Sequence, residues 1–167
     1  MGASRKTTAF LKECLADALI QLLETKPIEK ITVPEIAGLA GVGRTTYFRN
    51  FSSKKEMLSF KLLLLWERWA DEHGVRVKRG YSAENALTFF RFNHSIRPLL
   101  TLMYSRGLQS ALYMAFSINM TPPDQADAME RYLSRFYSYG LFGLLDEWIA
   151  RGFRETPEQM ARIAEEL

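Results

Sequence analysis

Thr32-Val-Pro-Glu-Ile-Ala-Gly-Leu-Ala-Gly-Val-Gly-Arg-Thr-Thr-Tyr-Phe-Arg-Asn-Phe51 is the stretch that decides the fold. It reads as two short helices joined by a glycine-bounded turn. Thr32 and Glu35 stand at capping-box spacing, so each side chain can bond the other residue's free backbone N–H. Pro34 falls in the first turn, where its missing donor is not needed. Ile36, Ala37, Leu39 and Ala40 give an apolar stripe whose alanines admit a second helix at close range. Gly41 suits the left-handed conformation that ends a helix, with Val42 plugging the core behind it. Gly43 is an acceptable N-cap, weaker than Ser or Thr. The second helix opens Arg44, Thr45, Thr46, while Tyr47, Phe48 and Phe51 anchor its other side. This is the sequence form of a helix-turn-helix, which sets its second helix in the DNA major groove. An ordinary helical hairpin explains the apolar positions too. It does not require Arg44, Thr45, Thr46, Arg49 and Asn50 together on the outer side of one short helix.

With Thr32-Val33, Ile36-Ala37, Ala40-Gly41-Val42, Arg44, Thr46, Tyr47-Phe48, Phe51 and Lys54, the chain resembles the TetR/AcrR family of transcriptional regulators. The match extends over residues 5 to 60. The resemblance implies an all-α protein: a three-helix helix-turn-helix domain over residues 1–53, then a helical effector-binding and dimerisation domain over 54–167. It also implies that Arg44, Thr45, Arg49 and Asn50 face base edges. Arg44 would pair bidentately with guanine and Asn50 with adenine. Thr32, Thr46 and Lys54 would grip phosphates, fixing register without reading sequence. The family's usual phosphate-binding Tyr falls at Phe48, so Tyr47, which carries a hydroxyl one position earlier, joins the expected phosphate set. Gly43 stands where the family usually has Ser or Thr.

Charge agrees with this division. Residues 1 to 60 hold nine Lys/Arg against six Asp/Glu, and the remainder holds thirteen of each, so the whole excess of +3 lies in the DNA-reading part. Phosphate neutralisation is local, so placement matters more than size. The lone Cys14, on the buried face of the first helix, cannot form an internal disulfide, which fits a reducing cytoplasm. Arg5 and Lys6 lead into an amphipathic helix instead of a secretory signal. The longest apolar run, Leu62 to Trp66, is far too short to span a membrane.

Phe10/Leu11, Cys14/Leu15, Ala18/Leu19 and Leu22/Leu23 recur at helical spacing and predict a first helix of about 7 to 25, ended by Pro27. Ser53 and Glu56 repeat the capping-box spacing and open a long helix to about Glu72, with Lys54 and Lys55 in a first turn that favours phosphate. His73 to Ser82 reads as a linker, a break falls near Arg97-Pro98, and Thr121 to Asp124 reads as a turn and helix start. Between the breaks, Phe89, Met103, Tyr104, Tyr113, Met114 and Phe116 could line an effector pocket, because Met adapts its shape and Tyr offers a polar tip. Ordinary core explains them as well. Arg91, Arg97 and Arg106 are the main ionisable groups of this region, which favours an apolar or anionic effector.

Further on, Leu133, Phe136/Tyr137, Gly140/Leu141, Leu144/Leu145 and Trp148 form an apolar stripe, with Tyr132, Tyr139, Phe142 and Ile149 widening it. A helix apolar over so broad an arc needs partners on two sides, and Gly140 and Gly143 suggest close helix packing. Gly152 ends it. Thr156, Pro157 and Gln159 restart a helix whose apolar face is Met160, Ile163 and Leu167. A buried intrachain helix explains this pattern as well as a helix shared between subunits does. The resemblance selects the homodimer, with Tyr137, Leu141, Leu144, Leu145, Trp148, Met160 and Ile163 at its interface.

Two histidines and one cysteine make no metal-site spacing, and no Gly-rich phosphate loop or nucleophile elbow occurs. Asp146 and Glu147 are helix neighbours that point apart, so they cannot act as a carboxylate dyad. No enzyme, metal or cofactor is expected. The function implied is a transcriptional regulator, most often a repressor in this family. It would bind a pseudo-palindromic operator in double-stranded DNA as a homodimer and be released by a small-molecule effector. The competing reading is a coactivator of the same fold that docks on a partner protein.

Overall fold

A computed structural model describes residues 2–75, 83–121 and 125–167, with side chains from Thr7 onward and, after the first gap, from Asn85. Every regular element among them is a helix: α1 Gly2–Thr25, a single 3₁₀ turn Ile28–Lys30, α2 Val33–Ala40, α3 Arg44–Asn50, α4 Lys54–Glu72, α5 Ala83–Ser95, α6 Arg97–Ser105, α7 Gln109–Asn119, α8 Ala128–Ala150 and α9 Pro157–Glu166. The linker expected at 73–82 lies outside the described residues from Arg76 onward. So do Pro122 to Asp124 of the expected turn.

The local signals around α2 act as their chemistry requires. The Thr32 hydroxyl accepts from the Glu35 N–H, and the Glu35 carboxylate accepts from the Thr32 N–H at 2.8 Å. Gly41 closes α2 at φ 66°, and Gly43 caps α3 with no side-chain bond. α1 runs back to Gly2, past the start of its apolar stripe, since nothing between Ala3 and Thr8 breaks a helix. Cys14 on α1 is half-buried. The second capping box forms by halves. Ser53 Oγ accepts from the Glu56 N–H at 3.1 Å, but the Glu56 carboxylate reaches Ser52, taking its N–H at 2.7 Å and its hydroxyl at 2.6 Å.

α1 packs on α2, α3 and α4, and buries Leu15, Leu19 and Leu23 against Ile28, Ile31, Ile36, Tyr47 and Phe51. α4 lies between the two halves of the chain. Its Met57 and Leu58 enter this core, while its other flank meets α7, where the buried Ser59 hydroxyl donates to the Ala111 carbonyl at 2.7 Å. α5 packs on α9, and α6 and α7 pack on α8. The buried apolar side chains of both halves form one continuous cluster.

One ionic group ties α1 to α4. Lys61, 8% exposed, meets Glu13 at 2.8 Å and Asp17 at 2.7 Å, and Arg68 forks onto both oxygens of Glu13 at 2.6 Å. The Arg68 fork, helped by Lys61 and opposed by burial, holds the Glu13 carboxyl down to about 2. A carboxyl depressed in the folded state stabilises above its unfolded value and loses that contribution as pH falls. Acid unfolding should therefore show stability lost between about pH 4.5 and about 2. Urea titrations across that window should find the loss diminished in Glu13→Gln, which starts less stable at neutral pH.

α8 begins at Ala128 behind a complete capping box, Asp127 with Glu130, that the sequence reading passed over. It turns Ser138, Leu141, Leu145, Trp148 and Ile149 inward. Its other side leaves Met129, Tyr132, Leu133, Phe136 and Tyr139 exposed, Tyr132 by 76% and Phe136 by 72%. This corrects the expected dimer set. Leu141, Leu145, Trp148 and Met160 are buried within the monomer; Tyr137 and Leu144 are half-buried; Ile163 is 38% exposed. Both faces of α8 are apolar, and the stripe chosen from the sequence is the one that α5, α6 and α9 cover. Gly140 and Gly143 are exposed with no neighbour within 4 Å of a Cβ placed there, so among the described residues no helix packs closely on them.

Candidate nucleic-acid interface

α3 is short enough that its faces follow directly from the turn of about 100° per residue. Tyr47 is 6% exposed and meets Phe51, with ring centres 6.3 Å apart, so the side carrying both rings is the inner one. Thr45 and Arg49 lie on the opposite side, Phe48 lies between the two sides, and Arg44, three residues before Tyr47, stands nearer the ringed side at the start of the helix; all four are exposed. Arg44 and Arg49 make no hydrogen bond or ion pair among the described residues, so both guanidinium forks are available to an external acceptor. Phe48, expected as an inward anchor, is 68% exposed and stands edge-on against Tyr47 at 5.2 Å. Asn50, expected to face bases, is half-buried, and its amide donates to the Thr46 carbonyl at 2.7 Å. Thr45 and Arg49 thus share the outer side with Phe48 at its edge, Arg44 is exposed at the first turn, and Asn50 is half-buried with one amide N–H held by the Thr46 carbonyl.

The residues expected at phosphates divide in a similar way. Lys55 is exposed at the start of α4, beside the unpaired N–H groups of its first turn. Thr46 is half-buried on the flank of α3. Thr32 is exposed, with its hydroxyl engaged in the capping box. Lys54 is turned inward: Nζ donates to the carbonyls of Ile28 and Ile31, the latter at 2.8 Å, which staples the 3₁₀ turn to α4 and leaves one of its three donors for a phosphate. Tyr47 sits in the core, where burial, with a smaller push from Glu56, raises its phenol above the ordinary value and keeps it protonated. Its ring serves as the anchor of α3. Near the surface, the Lys26 ammonium and then the Thr32 N–H and hydroxyl hold the Glu35 carboxyl down to about 2.

The first helix, α1, on which α3 packs, is braced from the second half of the chain. Arg106, at the turn between α6 and α7, donates to the Leu23 carbonyl at 2.8 Å and the Glu24 carbonyl at 2.9 Å. A cation on the last carbonyls of α1 satisfies orphan acceptors and opposes the helix dipole. No sequence pattern points to this contact.

The residues expected around an effector are spread over α5, α6 and α7, some in the core and some toward the surface. Phe89 and Phe116 meet at 5.1 Å, and Tyr113 joins them through Phe142. Met103 is fully enclosed in the core, and Met114 is 39% exposed. The Tyr104 hydroxyl donates to Asp146 at 2.6 Å; burial first, and then this carboxylate, push its pKa well up. Arg91 pairs with Glu158 at 2.9 Å. A cleft of about 330 Å³ opens elsewhere, between the end of α7 and the first half of α8, lined by Met120, Thr121, Arg131, Tyr132, Ser134, Arg135 and Ser138. Among the described residues no group of His, Cys, Asp and Glu could hold a metal ion, and no helix is long and apolar enough to cross a membrane.

A braced three-helix unit with a cationic exposed helix, mounted on a second helical half, defines a DNA-binding transcriptional regulator of the helix-turn-helix class. Residues 15–59 match the family model for bacterial regulatory proteins of the tetR family, and residues 83–167 match that for a transcriptional regulator C-terminal region. The second match alone spans more than half of the chain, and the chain belongs to the TetR family of transcriptional regulators. No curated protein matches it.

Proposed function

We propose that the protein is a repressor that binds a pseudo-palindromic operator as a homodimer, through residues 1–53, and is released when a small molecule binds within residues 54–167. The observation that carries this reading is the exposed surface of α3, where Arg44, Thr45 and Arg49 face solvent and neither arginine has a hydrogen-bond or ionic partner among the described residues. Major-groove guanine offers the paired acceptors that such forks fit. Lys55, Thr46, Thr32 and the free donor of Lys54 would hold the flanking phosphates. The setting that fits is the cytoplasm, where the operator lies.

The outer face of α8 supports the dimer. Tyr132, Phe136 and Tyr139 expose large rings beside Gly140 and Gly143, and a second helix can approach closest where there is no Cβ. A two-fold pairing there would set two recognition helices on half-sites about 34–36 Å apart or a multiple of it. The cleft under Arg131 and Arg135 supports a small anionic effector. Such a ligand weakens operator binding only by as much as its affinity differs between the two dimer geometries.

The test is a selection from random-sequence DNA, then fluorescence anisotropy on the selected site and on scrambled DNA across salt. Two subunits with four phosphate-directed residues each should lose about 10³–10⁵ in affinity between 50 and 200 mM salt. Tyr132→Glu with Phe136→Glu should sediment as a folded monomer that binds the site weakly. Failure to select any site would overturn the operator reading and leave a partner-protein coactivator in its place.

A further inference from the structure

We propose that Phe48 reads a thymine in the operator through that base's C5-methyl group. The inference rests on α3 entering the major groove and adds to that reading a residue and a base. Phe48 lies at the middle of the exposed face of α3, between Arg44 one turn before it and Arg49 just after, with Thr45 alongside. It is 68% exposed in a helix whose other two rings, those of Tyr47 and Phe51, are 6% and 5% exposed. Among the described residues, the ring contact of this large apolar side chain is with the edge of Tyr47, at 5.2 Å and 87°. That contact props the ring outward from a buried base.

The chemistry of the groove leaves few counterparts for such a ring. Phenylalanine has no donor or acceptor, so it can satisfy neither a phosphate oxygen nor a polar base edge, and covering one would leave that group unpaired. The apolar feature that base pairs present in the major groove is the thymine methyl, and an aromatic ring is among the side chains that meet it. A tyrosine in this place could give a hydroxyl to a phosphate. With Phe48 that contact is lost, and a base contact replaces it. Residues one turn apart on a helix are separated by about 6 Å along its axis, close to two base-pair steps. The thymine therefore lies one to two base pairs from a guanine held by Arg44 or Arg49.

The experiment uses the full chain and the site selected from random DNA. Each thymine of a half-site is replaced in turn by deoxyuridine, which removes the C5-methyl and keeps every hydrogen-bonding group. At one thymine beside a contacted guanine, the wild type should lose affinity by roughly fourfold per half-site, the value of burying one methyl-sized group. Phe48→Ala should bind the thymine site more weakly and be indifferent to deoxyuridine at that position, whereas Phe48→Leu should keep part of the preference. Because Phe48 is exposed, these variants should melt with the wild type, so a loss is not a loss of fold. Equal binding of thymine and deoxyuridine at every position by the wild type overturns this inference and leaves the operator reading intact. A full methyl preference retained in Phe48→Ala does the same. Failure to select any site removes both.

Discussion

With Arg44 and Arg49 both replaced by alanine, the protein should keep its fold and lose its preference for operator over scrambled DNA by at least about thirtyfold. Each bidentate arginine–guanine pair discriminates by about 1–3 kcal/mol, and two pairs per subunit are removed. Both side chains are exposed and make no hydrogen bond or ion pair among the described residues, so thermal melting should be unchanged. Two comparisons give the result its meaning. Lys55→Ala should weaken operator and scrambled DNA alike and reduce the salt slope, as expected of a phosphate contact. Asn50→Ala should leave base preference nearly unaltered, because Asn50 is half-buried and one of its amide N–H groups is held by the Thr46 carbonyl. If Asn50→Ala instead relaxed specificity as far as the arginine pair does, the outer face of α3 would be the wrong reading surface. Fluorescence anisotropy on matched DNA pairs measures all three.

Trp148→Ala should cost about 3–5 kcal/mol of stability in urea unfolding, the range for deleting a large aromatic from a packed core. The indole is 1% exposed. Its ring meets Phe153 at 4.9 Å, Phe90 at 5.5 Å and His94 at 5.9 Å, and its N–H donates to the Glu155 carbonyl at 3.1 Å. The cavity therefore opens where α5, α8 and the turn into α9 join, and the Glu155 carbonyl loses its donor. A residue of the proposed dimer face would behave differently, giving a folded monomer of nearly normal melting. Tyr132 and Phe136 are expected to do that. A fully stable, monomeric Trp148→Ala would reverse the assignment of the inner and outer faces of α8.

That assignment shows where the sequence was legible and where it was not. The turn at Gly41, the boxes at Thr32 and Thr156 and the cap at Gly43 are set by neighbours a few residues away, so their chemistry is written locally. The inward side of α3 was partly legible, since Tyr47 and Phe51 stand four residues apart and share a face, while Phe48 lies about 100° away from Tyr47. Grouping all three as anchors missed that angle. α8 is a different case. Periodicity marks apolar positions, and with apolar residues on two faces it cannot say which face another helix of the chain will cover. Arg106 could not have been found at all, because its partners are backbone carbonyls that any residue type supplies, 82 and 83 positions earlier in the chain.

The Arg106 contact also bears on exchange of parts between regulators. A chimera joined at the 53/54 border takes α1 away from the guanidinium that closes its last turn, from Lys61 and Arg68, which hold Glu13, and from the α4–α7 seam where Ser59 meets Ala111. The DNA-reading unit is a tenant in a shared frame, and a graft that keeps only its sequence leaves its foundations behind. Transplanting the operator preference of this protein therefore calls for carrying the surface of α3 into a host that already braces its own first helix.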